Sequence, residues 1–297
     1  MFAEDYPRFM EASELEPQPQ RLNERYEALF ASNRDIFDGA RVLDLASHDG
    51  RYSFAALKTG AEHVTGVEVR ESLVGKAEET FAYYGQDPET YRFVCGDVFE
   101  VLAREKFDVD VVLCLGFLYH TYRHTELMYR LHHLAPKHLI LDTMVVPGTQ
   151  SALKVLRERN VEDIRSAAQD AYSVGQVLVA RPTVPALQML LAAYGFEIES
   201  MYDWKSRLAG RPPVPGLMGY AKGKRVTLRC RAREAATAAG GEPIASLPVA
   251  GPPPPANGPE RTPTPSPAQP SGGWRERVNR TLAKATGYEL RRASTKR

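Results

Sequence analysis

The sequence predicts an α/β fold built on a doubly wound, mostly parallel seven-stranded sheet, with an insertion after strand five and a disordered C-terminal linker. Three observations carry this. Short apolar runs rich in β-branched residues alternate with helix-period segments from about residue 42 to residue 144. Acids close three successive runs, Asp44 in RVLDLASHDG, Glu68 in HVTGVEVR and Asp97 in RFVCGDVF, spaced 24 and 29 residues apart, one strand–helix–strand unit each. Finally, 297 residues suffice for one α/β domain of roughly 200–230 residues plus appendages.

The elements follow in order. Residues 21–33 have helical periodicity and lead into strand one, Val42–Leu45. RYSFAALKT is a helix that Gly60 ends, because glycine tolerates positive φ. Strand two covers His63–Val69, and a helix from Glu71 to about Tyr84 stops at Gly85. Strand three is Tyr91–Cys95, and Val98–Arg104 forms a short helix. Strand four, Val109–Leu115, is almost continuously apolar, as a strand buried on both faces should be. A helix over His124–Leu134 ends before Pro136, and strand five is His138–Met144. Residues 146–180 break the alternation and read as an insertion or cap, with a helix at Ala152–Arg159. Thr183 then caps a helix with Pro185 in its first turn, Phe196–Tyr202 is strand six, and Arg225–Arg231 the last, antiparallel strand.

Around the domain at 41–234, composition shifts sharply. Residues 1–40 form an acidic helical lead-in with nine acids against four bases. Residues 235–272 collapse to Ala, Pro, Gly, Ser and Thr, too little apolar surface to offset ordering entropy, so a disordered linker is expected. Residues 273–297 carry eight bases against two acids, with Trp274, Val278 and Leu282 at helical spacing. This basic amphipathic tail suits an anionic membrane surface or an acidic partner. The net charge is only +1, so the body lacks the basic footprint of a nucleic-acid binder. Cys95, Cys114 and Cys230 fall in strands at no metal-ligand spacing, and buried reduced thiols are expected. MFAEDYPRFM has no basic n-region or apolar h-region, and no apolar run approaches a bilayer span, so a cytoplasmic location is expected.

In an open parallel sheet, groups at adjacent strand ends converge on one crevice. Acids at three of those ends suit a ligand with an ammonium group, a ribose diol and an adenine amine, which describes S-adenosylmethionine. A dinucleotide dehydrogenase would need G-x-G-x-x-G after strand one, and Ala46–Arg51 does not supply it. VLDLASHDGR resembles the first motif of the class I S-adenosylmethionine-dependent methyltransferases, with Rossmann-like fold, over about Val42–Arg231. Ala46 and His48 replace two of that motif's glycines and only Gly50 remains. The resemblance implies that Asp44 orders the loop and the methionine ammonium, with His48 beside the methionine moiety. It implies that Glu68 accepts the ribose hydroxyls and that Asp97 and Val98 contact the adenine.

The acceptor should enter over strand four, at LCLGFLYHTYRH, where Gly116 permits close approach and Tyr119 and His120 form a polar aromatic pair. This run is similar to the Gly-x-Leu-Tyr-His of the transferases that carboxymethylate the wobble uridine of tRNA. His120 is the candidate general base, Tyr119 a substrate or cofactor contact, and Arg123, Asp142 and Arg181 candidate substrate residues. The alternative for His120 is a histidine that caps the end of strand four. His120 and His124 have metal-ligand spacing on a helix but no glutamate between them, so no metal is expected. The resulting function is methyl transfer to a hydroxyl of a small molecule or glycan, or to a nitrogen. Carboxymethyl or methyl transfer to tRNA is the alternative, against which stand the acidic lead-in and the lack of a matching arginine segment in KSRLAGRPPVPGLMGY. A non-catalytic binding module, with a damaged cofactor loop and a working tail, is the third reading.

Overall fold

The computed structural model describes residues 1–11, 18–158, 167–168 and 173–233. The expected linker and tail lie outside the described residues. Strands β1 (Arg41–Leu45), β2 (His63–Glu68), β3 (Tyr91–Cys95), β4 (Val111–Leu115), β5 (His138–Met144), β8 (Phe196–Met201) and β9 (Arg225–Ala232) form one sheet in the order β3-β2-β1-β4-β5-β9-β8. β6 (Leu153–Glu158) and β7 (Val177–Pro182) make a separate antiparallel pair. The helices are α1 (Phe2–Asp5), α2 (Arg8–Glu11), α3 (Pro19–Leu29), α4 (Arg51–Thr59), α5 (Glu71–Tyr83), α6 (Val98–Arg104), α7 (His124–His133), α8 (Val184–Ala193), α9 (Trp204–Leu208) and α10 (Met218–Ala221).

The central strands are apolar on both faces because both are covered. Leu43, Leu45, Val112, Cys114, Leu139 and Leu141 pack toward α6, α7 and α8. Their neighbours Val42, Val111, Leu113 and Ile140 point the other way, into an aromatic layer that includes Phe30, Phe37, Phe54 and Phe81. The N-terminal segment is part of that layer: Phe2 and Phe9 are buried. Parallel pairing aligns Asp44 with Gly66 and with Leu113, and Glu68 with Cys95. The strand order reverses between β1 and β4, so the loops after them open a crevice at the carboxyl ends.

Two expectations need correction. Ala152–Arg159 is not helical: Leu153–Glu158 is a strand paired with Val177–Pro182, and Arg159 lies outside the described residues. Leu, Lys, Arg and Glu favour a helix locally, and a valine-rich partner strand overrides them. The last strand is antiparallel as expected, and β9 lies between β5 and β8. Of the cysteines, Cys114 and Cys230 are buried but Cys95, at the end of β3, is exposed; all three are free. Among the described residues no helix is long and apolar enough to cross a membrane.

Candidate active site

A cavity of about 490 Å³ opens at the carboxyl ends of β1, β2 and β4, and Asp44, Glu68 and Asp97 all line it. Asp44 is buried, with Ser53 Oγ donating to its Oδ2 at 2.7 Å. Burial raises its pKa to about 7, the Glu68 charge adds to the rise, and the Ser53 bond and Arg25 oppose it. Glu68 Oε2 accepts the His48 backbone N–H and Oε1 the Arg70 backbone N–H, each at 3.0 Å. Asp97 caps α6, its Oδ1 accepting the amides of Phe99 at 2.9 Å and Glu100 at 3.1 Å. Burial raises its pKa as well. Val98, behind Asp97, also lines the cavity.

The loop after β1 keeps glycine-like geometry without the glycines. Ala46 has φ 53° and His48 φ 55°, left-handed conformations that side chains resist. Ser47 N–H on the Val67 carbonyl at 2.9 Å and His48 N–H on Glu68 pin the loop to the end of β2. Strain of this kind persists where surrounding structure enforces it. The His48 ring lies on the cavity wall, its Nδ1 3.5 Å from Asp49 Oδ1, and leaves the cavity open. Ala46 is on the wall too, whereas Gly50 is not. Gly50 is closely packed behind the loop. At φ 74°, a Cβ there would stand 2.9 Å from both Ala77 Cβ and Phe93 Cζ.

At the end of β4, Gly116 (φ 96°), Tyr119 and His120 line the cavity. His120 Nδ1 lies 3.4 Å from Glu158 Oε2 on the hairpin, and its ring packs 4.2 Å from that of Tyr119. The capping role belongs to His124 instead, whose Nε2–H donates to the Leu118 carbonyl at 2.9 Å. Burial lowers the His124 pKa. Arg123 is off the wall. It grips Glu126 at 2.7 and 2.8 Å and lies 3.7 Å from the Phe99 ring centroid. Arg181 is also off the wall, on β7.

Asp142 is the largest departure from expectation. Instead of meeting substrate it is fully buried beneath the wall, where Arg25 Nη2 (3.1 Å) and Arg225 Nε (2.6 Å) donate to Oδ1. Tyr220 (2.8 Å) and Thr227 (2.6 Å) hydroxyls donate to Oδ2. Burial opposes ionisation of this carboxyl, but Arg225 and Arg25 outweigh it and hold the pKa below its ordinary value. Arg225 also donates from Nη1 to the Tyr119 hydroxyl at 3.2 Å. Arg25, Arg225, Arg21 and Tyr52 are wall residues the sequence reading missed. The one local signal was KGKR, a basic run opening a strand that lands beside β5.

The donor set fits S-adenosylmethionine. A carboxylate with paired acceptors can take a ribose diol, and a second carboxylate an ammonium. Among the described residues, Ser47 Oγ and His48 Nε2, both buried on this wall, have no hydrogen-bond partner, a need that a polar ligand would meet. A pH dependence follows. With a pKa of about 7, Asp44 is partly protonated at neutral pH, and an ammonium ligand favours its charged form. Binding of S-adenosylhomocysteine should therefore release about half a proton at pH 7, and affinity should fall as pH drops below 7. Calorimetry in buffers of different ionisation enthalpy measures this; zero proton release would contradict it.

Residues 42–136 match the model of a methyltransferase domain. A tRNA U34 carboxymethyltransferase of Pseudomonas fluorescens is 27% identical over 160 residues, which is 53% of this chain and 46% of that one. A Methanocaldococcus jannaschii protein, named for methylation of large-subunit ribosomal RNA, is 35% identical over 98 residues, 31% of this chain and 24% of that one. The chain thus spans less than half the length of these curated relatives. The crystal structure of an S-adenosylmethionine-dependent methyltransferase from Mesorhizobium loti superposes with a TM-score of 0.50 at 18% identity, covering 71% of this chain and 99% of that one. That likeness is one of fold.

Proposed function

We propose that this chain, whose residues 42–136 match the model of a methyltransferase domain, binds S-adenosylmethionine at the β1–β4 crevice and methylates a hydroxyl or nitrogen of a small molecule or glycan. The observation that carries the reading is the convergence of Asp44, Glu68 and Asp97 on one cavity. When bound, the cofactor supplies an electrophilic methyl group on a sulfonium centre. The chain's own part is to hold and orient. Glu68 takes the ribose hydroxyls, Asp97 and Val98 bound the adenine, Asp44 meets the ammonium, and His48 and Ser47 bound the methionine end. Positioning of this kind supplies much of the acceleration in a displacement.

His120 is the proposed general base for a hydroxyl or ammonium acceptor. A proton on Nδ1 directed at Glu158 leaves Nε2 as the basic nitrogen. Gly116 gives the acceptor room, and Tyr119, fixed by Arg225, bounds it. Incubating the full chain with methyl-labelled S-adenosylmethionine and a fractionated metabolite extract tests this. Label should enter a small polar product, and His120→Ala should slow transfer by about 10²–10⁴-fold. Label confined to added tRNA would overturn the small-molecule reading.

One observation favours carboxymethyl transfer to tRNA as the second reading. The sequence offered no cations to balance an extra carboxylate, yet Arg225 and Arg21 stand on the wall with Tyr119. Salt-dependent binding of tRNA to the full chain, if retained when the tail is removed, would support it.

A further inference from the structure

We infer that Arg21 and Arg225, on the wall of the same cavity, form an oxyanion site for a carboxylate or phosphate group of the acceptor. The wall of this cavity carries both signs of charge: Asp44, Glu68 and Asp97 line it, and so do Arg21, Arg25 and Arg225. Arg70, also on the wall, lies 3.7 Å from Glu68.

Among the described residues, a single carboxylate balances Arg21, Arg25 and Arg225. Asp142 is the one carboxylate shared by Arg25 and Arg225, and it is fully buried beneath them. Among the described residues, no carboxylate or hydrogen-bond acceptor pairs with Arg21, and its Nε is buried without a partner. Arg25 Nε is likewise buried and unpartnered. Burial lowers the Arg21 pKa, and the charges of Arg25 and Arg225 lower it further, so all three guanidinium groups share one electrostatic environment. Cations held close together out of water are costly unless an anion joins them. A planar guanidinium fork is the group best matched to a carboxylate or phosphate.

Arg21 is also held in place. The turn at Gly216, with φ 76°, closes directly over Gln18 and Arg21, and a Cβ at that position would collide with both side chains. The cofactor carries one carboxylate, on the amino-acid end whose ammonium is assigned to Asp44; three guanidinium groups around the single carboxylate of Asp142 leave room for a further anion beyond that one. We assign that anion to the second substrate, and an acceptor whose nucleophile lies near a carboxylate or phosphate is the class that fits.

The inference rests on assigning the acidic residues of the wall to the cofactor, and the test separates the two. Inorganic phosphate is titrated into the full chain alone, saturated with S-adenosylhomocysteine, and saturated with methylthioadenosine, which lacks the amino-acid carboxylate. We expect phosphate to bind in all three states, at least tenfold more weakly in Arg21→Gln, with binding largely restored in Arg21→Lys. The S-adenosylhomocysteine affinity of Arg21→Gln should stay within twofold of the wild type, which also shows that the variant folds. Loss of phosphate binding with S-adenosylhomocysteine but not with methylthioadenosine would assign the arginines to the cofactor's own carboxylate and overturn the proposal. Displacement of phosphate by the S-carboxymethyl form of the cofactor, but not by S-adenosylhomocysteine, would move the anion to the transferred group and also overturn it. Phosphate binding that is equal in the wild type and Arg21→Gln would overturn it as well. Absence of heat with S-adenosylhomocysteine sinks the cofactor reading instead, and leaves the phosphate comparison intact.

Discussion

Asp142→Ala is expected to lose about 3–5 kcal/mol of folding stability, because it strands two buried guanidinium groups and two hydroxyls around an empty position. For a folded domain of this size, that is a fall of about 10 °C or more in the thermal midpoint. Asp142→Asn keeps acceptor capacity for part of the network but removes the charge, so it should also destabilise, by less. The pH dependence has a definite sign. The folded pKa of Asp142 is depressed, so its contribution is fully present above the unfolded carboxyl value of about 3.9 and is lost as pH falls through the lower folded value. Acid unfolding followed by circular dichroism should show this component in the wild type and lack it in Asp142→Asn. An Asp142→Ala midpoint within a degree or two of wild type would contradict the assignment of Asp142 as the charge that holds the arginine wall.

Glu68→Gln is expected to weaken S-adenosylhomocysteine binding by about 10–100-fold, or about 1.4–2.8 kcal/mol, read by calorimetry. Glu68 serves two tasks at once. Its oxygens receive the backbone amides of His48 and Arg70, and the remaining lone pairs are the acceptors proposed for the ribose. An amide supplies one oxygen and sets an NH₂ against a backbone N–H, so one loop bond is lost along with the charge-assisted acceptance of the diol. Unchanged affinity would mean that Glu68 only fixes the loop.

The sheet was legible because its signals are local. Runs such as Tyr91–Cys95 and His138–Met144 declare strands by composition, and the structure places them at those residues. Once the alternation of strands is set, Asp44, Glu68 and Asp97 must fall near one edge of the sheet, since parallel strands end on the same side. The altered glycine motif was harder to weigh. That Ala46 and His48 keep left-handed backbone depends on anchors to Val67 and Glu68, which the residue types themselves do not announce.

The basic part of the site was illegible for a plain reason. Asp142 meets Arg25 across 117 residues, Tyr220 across 78 and Thr227 across 85. No spacing rule reaches that far. The strand at Leu153–Glu158 was missed because its pairing partner, Val177–Pro182, is not adjacent in sequence, and its own residues favour a helix. The same pairing brings Glu158 to His120, so the error in secondary structure also concealed the nearest carboxylate to the candidate base.

A crystal structure of the full chain grown with S-adenosylhomocysteine tests the central claim most directly. The ribose hydroxyls should lie within hydrogen-bond distance of Glu68, the adenine amine beside Asp97 and the ammonium at Asp44, with the thioether sulfur directed toward Gly116 and His120. Density for the ligand anywhere other than between those carboxylates, or a cavity holding only water at saturating ligand, would contradict it.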